Sequence, residues 1–557
     1  MTESIEKYWS MPAGSFQWSE DIITYASSLP IERLQSRIIV FDSIHDWKAN
    51  KEKITKDSFK GIILILGNLA ELSTIYSAIE TKLIERIIAF RNTSSKHSLH
   101  KLMLVLNYSN EKIPYREIRE RYTFCPICKK SSKDYGGKKH HYPSDGTWIR
   151  DVWNKFSFDV DTIKDRLFLE AIYNLYCKTS TEQIIAISGS KKYDQKTNKD
   201  KSEIIELMEG TPPLEKYQKY NQNILQGDCM ELLPWLANSG QKYDLIFVDP
   251  PYNLGKEYDK YKDNKKLEQY TDWCVKWAKS AKPVLENEGI FVILNTPQNI
   301  LLQLPALLSD YELIDDIVWD DLARPVARKM QPTYYSIIFL KKKDNGHIKS
   351  NWYKIREPTY CKRNGCLTHP DSFSPGISIW SDIHRTRQKS RRWEHPCNLP
   401  EELIGRIIHT TKSAMNKDRL RILDFFLGVG TTTMASLMAN CESTGIELSY
   451  DYFNTAVYRL ENKYYRNPNC SSNNFHKKNS KKTLQKLVAF SLEKANRTNH
   501  GYSTEEQVKW LIANGIVKAS DIENFVRPGE ILKSVGKEGA PGEEKINQKI
   551  LEEYVHV

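Results

Sequence analysis

The residues best equipped for chemistry are Asp249, Pro250, Pro251 and Tyr252, which follow directly on the apolar run Leu245-Ile246-Phe247-Val248. Four apolar residues in a row read as a buried strand, and an acid followed by two prolines ends it, because proline cannot continue a ladder. Open α/β sheets collect their ligands at the carboxyl ends of strands, so these four residues stand where chemistry is done. An exocyclic amine conjugated to an aromatic base is a poor nucleophile. It needs acceptors that hold its hydrogens and favour a tetrahedral nitrogen. The Asp249 carboxylate and the Pro250 carbonyl can supply them, and Tyr252 offers a face for a base that has left the duplex.

A second stretch complements the first. Arg421-Ile422-Leu423-Asp424 reads as a strand, Phe426-Leu427-Gly428-Val429-Gly430 as a tight turn, and a helix begins at Thr431-Thr432-Thr433. Backbone N–H groups and a helix N-terminus then converge on a ligand's carboxylate or phosphate. Further on, Ser443-Thr444-Gly445-Ile446-Glu447 puts an acid at the end of the next strand, where it suits the hydroxyls of a ribose.

The elements that must position these residues belong to a large α/β protein. With 557 residues the chain has room for several domains. Hydrophobic residues make up 40%, charged residues 27% and aromatic residues 11%, which fits a globular protein and excludes a disordered or fibrous one. No apolar run is long enough for a membrane helix and the N-terminus lacks a signal-peptide layout, so the expected location is the cytoplasm. Ten cysteines over this length do not make a secreted disulfide framework. The net charge of +11 permits a polyanionic partner.

In the first half, 37–42, 61–66 and 102–106 read as buried strands, and the run from Leu69 to Ile88 has helical apolar spacing. Cys125, Cys128 and His140 have the ligand types of a zinc knuckle. The half also echoes the second. Gly61–Asn68 resembles Gly289–Thr296 at an offset of 289 − 61 = 228; Leu83–Ile88 resembles Leu313–Val318 at 313 − 83 = 230; and Gly146–Val152 resembles Ile377–Ile383 at 382 − 151 = 231 about a shared aspartate. A degenerate duplication is therefore expected over 1–220. Its first copy is chemically empty, with Val40-Phe41-Asp42-Ser43-Ile44 where the Asp249 strand should recur and no glycine loop after it. The lysine-rich run 188–201 reads as a solvated linker or loop.

The second half opens near Asn221, with Asp228 leading into a short helix. Tyr270, Trp273, Cys274, Trp277, Ala281 and Leu285 recur at helical spacing, a stripe expected to pack in the core. Strands at 289–294, 313–319 and 334–340 are expected to alternate with helices in a parallel arrangement. Residues 344–393 break the rhythm and carry ten Lys or Arg against four Asp or Glu, 10 − 4 = +6. Their tip, with Arg385, Arg387, Lys389, Arg391 and Arg392, suits contact with DNA phosphates, since clustered cations gain by releasing counterions.

Taken together, Asp249-Pro250-Pro251-Tyr252, the basic 344–393 region and then Phe426-Leu427-Gly428-Val429-Gly430 stand in an order that resembles the β-group of S-adenosylmethionine-dependent DNA amino-methyltransferases. The segment His395-Pro396-Cys397-Asn398-Leu399-Pro400, with the helix after it, is similar to the family's helix that lines the methionine pocket. Leu399 stands where many members carry a lysine, and Leu427 replaces a small residue. The resemblance covers 221–465 and implies a Rossmann-like, doubly wound mixed sheet. It implies that Asn398, Asp424, Phe426, Gly428, Gly430, Thr431 and Thr432 hold the methionine portion of the cofactor, Glu447 its ribose and Asp228 its adenine side. It further implies that Asp249, Pro250, Pro251 and Tyr252 orient a flipped base, adenine N6 ahead of cytosine N4, in double-stranded DNA. A cognate restriction endonuclease and a homodimer are the implied partners, while the repeat between the halves, and not the family, points to an internal pseudo-dimer; zinc has no part in the transfer and would be structural. Residues 466–500 read as a linker and 501–557 as a small helical module. The rival functions are a binding subunit whose partner does the chemistry, and an endonuclease fused to a methylase.

Overall fold

A computed structural model describes the chain at 9–10, 38–54, 59–92, 100–109, 147–158, 165–177, 183–188, 210–256, 261–320, 334–343 and 397–463, with short segments between these, and it leaves out 464–557 among others. The expected linker and helical module at 466–557 thus lie outside the described residues.

Two sheets carry the fold. The first contains β1 (Ile23–Ala26), β2 (Ile38–Phe41), β3 (Ile62–Gly67), β4 (Ile84–Asn92), β5 (His100–Asn107), β6 (Val152–Phe158) and β7 (Ile184–Ile187), with helices α1 (Ile44–Asn50), α2 (Leu69–Tyr76) and α3 (Arg166–Tyr176). The second contains β8 (Glu215–Lys219), β9 (Gln222–Gln226), β10 (Tyr243–Val248), β11 (Leu285–Asn295), β12 (Tyr311–Asp320), β13 (Tyr334–Lys342), β14 (Ile379–Trp380), β15 (Arg421–Asp424) and β16 (Glu442–Glu447). Its helices are α4 (Cys229–Asn238), α5 (Leu267–Ala281), α6 (Pro297–Leu307), α7 (Glu401–Met415), α8 (Thr431–Met438) and α9 (Tyr450–Asn462). β2, β3, β7 and β10 are buried at every position, as expected of strands covered on both faces by helices.

The second sheet runs β8-β9-β16-β15-β10-β11-β13-β12-β14. From β9 to β11 all neighbours are parallel, whereas β13 is antiparallel to both β11 and β12. The sheet is the Rossmann-like mixed α/β type, and the expectation that its later strands alternate with helices in parallel is corrected. An apolar strand looks the same in either direction, and only its hydrogen-bonding partner distinguishes the two.

The first sheet runs β6-β4-β5-β3-β2-β7-β1 and repeats the pattern: parallel, antiparallel, antiparallel, then parallel to the end. Cross-strand pairs fix the register. Ile62 faces Ile38 as Ile290 faces Leu245, which gives 290 − 62 = 228 and 245 − 38 = 207. Both outer hairpins carry a register shift at the same place, between Ile84 and Arg86 and between Leu313 and Asp315, so that 313 − 84 = 229 where the sequence alignment expected 230. Trp153 pairs with Phe90 as Trp380 pairs with Trp319, so 380 − 153 = 227 replaces the expected 231. The shared aspartate misled that alignment, because at this offset Asp151 corresponds to Ser378 (378 − 151 = 227).

The helix expected over Leu69–Ile88 ends at Tyr76. Ala78 and Ile79 donate to Ile75 and Tyr76 in tightening turns, and Ile84, Ile87 and Ile88 enter β4, where pairing with Leu106, Leu104 and Met103 outweighs local helical spacing. Leu285, the last residue of the expected helical stripe, opens β11 instead.

Candidate active site

The parallel strands β9, β16, β15 and β10 lie side by side, so their carboxyl ends share one edge of the sheet. An acid stands at or just beyond each end: Asp228, Glu447, Asp424 and Asp249. All four line a single cavity of about 340 Å³ together with Pro250, Pro251, Tyr252, Asn398, Phe426, Gly428, Thr431 and Thr432. The structure therefore brings together nearly every residue singled out for catalysis or cofactor contact. Gly430 does not line the cavity; it ends the turn at φ +85°, and a Cβ there would come within 2.9 Å of the Ala456 Cβ, so the turn can pack on α9 only with glycine.

On the glycine-loop side, Asp424 is held by the Phe426 N–H (2.9 Å) and the Thr432 hydroxyl (2.5 Å). Glu447 accepts the Gly428 N–H on one oxygen (2.7 Å) and the Ser449 N–H on the other (2.8 Å). Each carboxylate oxygen has more than one lone pair, so Glu447 is braced and keeps acceptor capacity for hydroxyls. Thr431 donates to Asn398 (2.7 Å), which ties the start of α8 to the segment before α7. Asp228 caps α4 by accepting the Met230 N–H (2.8 Å). Leu427 is accommodated by Gly445, where any Cβ would fall 2.4 Å from the Leu427 side chain.

On the other side, the Tyr252 hydroxyl donates to Asp249, and the two carbonyls after Pro250 are pinned. Tyr270 donates its hydroxyl to Pro251 O (2.7 Å), and Asn299 donates to Tyr252 O and to Asn295 Oδ1 (2.9 Å each). The chain then turns through Asn253 at φ 61°, a left-handed conformation asparagine tolerates. Asp263 gathers the N–H groups of Asn253, Leu254 and Lys256 at 2.6, 3.0 and 3.0 Å. Tyr335 lies 5.2 Å from Tyr252 and stacks on Trp319 at 5.5 Å, forming an aromatic wall behind the Tyr252 ring.

Electrostatically the cavity is acidic. Burial pushes Asp249 up to about 8, opposed by the Tyr252 hydroxyl and reinforced by the charge of Asp424. Burial likewise lifts Glu447 to about 7 against the N–H groups of Ser449 and Gly428, and Asp424 to about 6 against Thr432 and Phe426. His395, packed between Tyr258 (5.8 Å) and Tyr452 (4.8 Å), is held down to about 4 by burial and is neutral at pH 7. Three carboxylates with raised pKa values on one cavity suit a ligand that carries positive charge and hydroxyls.

Several of these residues escaped the sequence reading. Asp259 accepts the Ser449 hydroxyl at 2.8 Å across 190 positions, and nothing local announces such a contact. Trp273, expected in the core stripe, lines the cavity. Among the suggested DNA contacts only Arg385 is described; Arg387, Lys389, Arg391 and Arg392 lie outside the described residues. So do Cys128 and His140, while Cys125 appears only as part of a two-residue strand, and the described residues hold no cluster of three metal-ligating side chains. Among the described residues no helix is long and apolar enough to cross a membrane.

The mixed Rossmann-like sheet thus sets a glycine turn and the acids Asp228, Asp249, Asp424 and Glu447 around one cavity. Residues 243–458 match the family model for DNA methylase. Three relatives agree with it. Type II methyltransferase M.ScaI of Streptomyces caespitosus is 29% identical over 262 residues, 44% of this chain and 83% of that protein. Type II methyltransferase M.HinfI of Haemophilus influenzae is 26% identical over 271 residues, 44% of this chain and 70% of that protein. DNA adenine methyltransferase YhdJ of Escherichia coli (strain K12) is 28% identical over 254 residues, 43% of this chain and 83% of that protein. Over residues 243–458 the chain is thus similar to DNA methylases.

Proposed function

We propose that the chain methylates adenine N6 in double-stranded DNA, using S-adenosylmethionine, as the modification enzyme of a restriction-modification system. The observation that carries this reading is the shared cavity, in which Asp249 and Pro250 at the end of β10 face the glycine turn and Glu447 at the ends of β15 and β16. Relatives named as type II methyltransferases and as a DNA adenine methyltransferase support the substrate and the base.

The donor set fits the cofactor. Glu447 would accept the ribose hydroxyls, Asp228 would lie on the adenine side, and Asp424 with Asn398, Thr431 and Thr432 would surround the methionine portion, whose positive charge suits the buried acids. When bound, S-adenosylmethionine supplies an electrophilic methyl group on a sulfonium. The protein's part is to hold the nucleophile. Asp249 and the Pro250 carbonyl accept the two amine hydrogens and draw the nitrogen lone pair out of conjugation towards that methyl. The nitrogen gains the methyl and loses one proton, for which a carboxylate titrating near 8 is a matched acceptor. Tyr252, backed by Tyr335, stacks the flipped base, and Asn299 and Tyr270 keep the segment's geometry through its carbonyls. Cations of the 344–393 segment, Arg385 among them, would contact the phosphates.

The test is direct. Purified full-length chain, unmodified duplex DNA and the cofactor should yield N6-methyladenine by nucleoside mass spectrometry, and the Asp249→Ala chain should yield none while still binding cofactor. N4-methylcytosine as the sole product would move the assignment to the cytosine branch. No product with the cofactor bound would favour a binding subunit.

A further inference from the structure

The first sheet has no part in the cavity, yet six of its seven strands, β6-β4-β5-β3-β2-β7, repeat β14-β12-β13-β11-β10-β15 of the second in order and direction. The equivalence extends to details. β3 and β11 lead into α2 and α6, which are capped at equivalent positions, Asn68 accepting the Glu71 N–H and Thr296 accepting the Asn299 N–H. The two bulged hairpins coincide as described. These two equivalent helices, α2 and α6, pack against each other. Contact between the same element of two like units is the mark of an isologous, twofold interface.

The chemistry has gone from the first copy. Asp42 stands where the register places Asp249 (249 − 42 = 207), but Ser43, Ile44 and His45 replace Pro250, Pro251 and Tyr252. Ser43 caps α1 at once, accepting the Asp46 N–H at 3.2 Å, and the Ser188 hydroxyl donates to Asp42 at 3.0 Å. Ile184 pairs with Ile38 as Ile422 pairs with Leu245, so Ala186 falls where Asp424 stands (424 − 186 = 422 − 184 = 238). Most telling, β7 pairs directly with β1, whereas β16, the strand that ends in Glu447, separates β15 from β9 in the second sheet. Among the described residues, the strand that would carry a ribose-binding acid is missing.

We propose that the N-terminal half is a catalytically empty copy of the methyltransferase unit that occupies the place of a second subunit, making each chain a pseudo-dimer with one cofactor site. The contact is built as a permanent one. A single buried apolar cluster runs through both halves, from Leu72 and Ile75 to Ile300 and Leu304. Across it, Arg150 is paired with Asp320 at 2.6 Å, and His100 bridges Ser378 (2.7 Å) and Asp316 (2.9 Å). Tyr334, equivalent to His100 (340 − 106 = 334 − 100 = 234), is buried and in turn feels the charge of Asp151 in the first half. Asp316 and Asp320 lie on β12, and Ser378, next to β14, belongs to the basic 344–393 segment itself, so the empty copy also fastens that segment and the strand β14 pairs with.

This inference rests on the methyltransferase reading, and two measurements on the full-length chain keep the fates of the two apart. Sedimentation equilibrium should give the mass of one chain across micromolar concentrations, and titration calorimetry with S-adenosylhomocysteine should give one site per chain. A stable two-chain species or two sites per chain would overturn the pseudo-dimer. Should no cofactor analogue bind, the methyltransferase reading fails, and the sedimentation result alone decides this one. In the His100→Gln chain, KM for DNA should rise several-fold with cofactor affinity unchanged; equal KM values for both chains would remove the proposed fastening of the DNA-facing strands.

Discussion

Tyr252 donates its hydroxyl to Asp249, so the side chain proposed to stack the base also occupies the acceptor proposed to hold the base's amine. This bond favours the ionised acid and opposes the burial that lifts Asp249 to about 8. Removing it in Tyr252→Phe should move the rising limb of the pH–kcat/KM profile to higher pH while keeping the aromatic face. An unshifted limb would show that another group controls it. Tyr252→Ala loses the face as well, and KM for DNA should rise by the ~1–3 kcal/mol that base stacking contributes.

The raised acids make the fold's stability depend on pH in a defined direction. Asp249, Glu447 and Asp424 have folded-state pKa values of about 8, 7 and 6, above their unfolded values. The folded state therefore binds more protons than the unfolded one. The stability these groups contribute is full below about pH 4 and is lost as pH rises through 6 to 8. Asp249→Asn should accordingly melt higher than wild type at pH 8, by a margin that shrinks towards pH 5, and should be inactive. A margin independent of pH would contradict the assignment.

Glu447 accepts one backbone N–H on each oxygen, so Glu447→Gln loses the charge and, with an NH2 in place of one oxygen, one of the two braces. Cofactor affinity should fall by roughly tenfold or more, since hydrogen bonds to charged groups contribute ~1.5–3 kcal/mol. Calorimetry with S-adenosylhomocysteine reads this directly, and unchanged affinity would displace Glu447 from the ribose.

Arg150 is buried among Asp320, Glu120 and Asp151, and its guanidinium is held charged by them. Truncation in Arg150→Ala leaves those acids unpaired, and chemical denaturation should show a loss of ~3–5 kcal/mol. A loss under about 1 kcal/mol would mean that water reaches the network.

Much of the site was legible because its parts are contiguous: an apolar strand ending at Asp249-Pro250-Pro251-Tyr252, another ending at Asp424 before a glycine turn, a third ending at Glu447. Each motif carries its own strand end with it, and the parallel order alone brings the three together. What the sequence concealed depends on distant partners. Asn299 reaches the Tyr252 carbonyl from the next helix, and Asp259 meets Ser449 across the cavity mouth. The direction of β13 was hidden because an apolar run does not record which neighbour accepts its hydrogen bonds. The resemblance between halves was visible from Gly61 and Gly289, but its register past the hairpins needed the equivalent tryptophans Trp153 and Trp380, paired with Phe90 and Trp319.

The central claim is that Asp249 and Pro250 present an adenine amine to the methyl group of a cofactor held at Glu447 and Asp424. The most direct measurement is nucleoside mass spectrometry of unmodified duplex DNA incubated with the purified full-length chain and methyl-labelled S-adenosylmethionine. The account predicts label in N6-methyladenine, abolished by Asp249→Ala; label confined to N4-methylcytosine, or undiminished label from the Asp249→Ala chain, would contradict it.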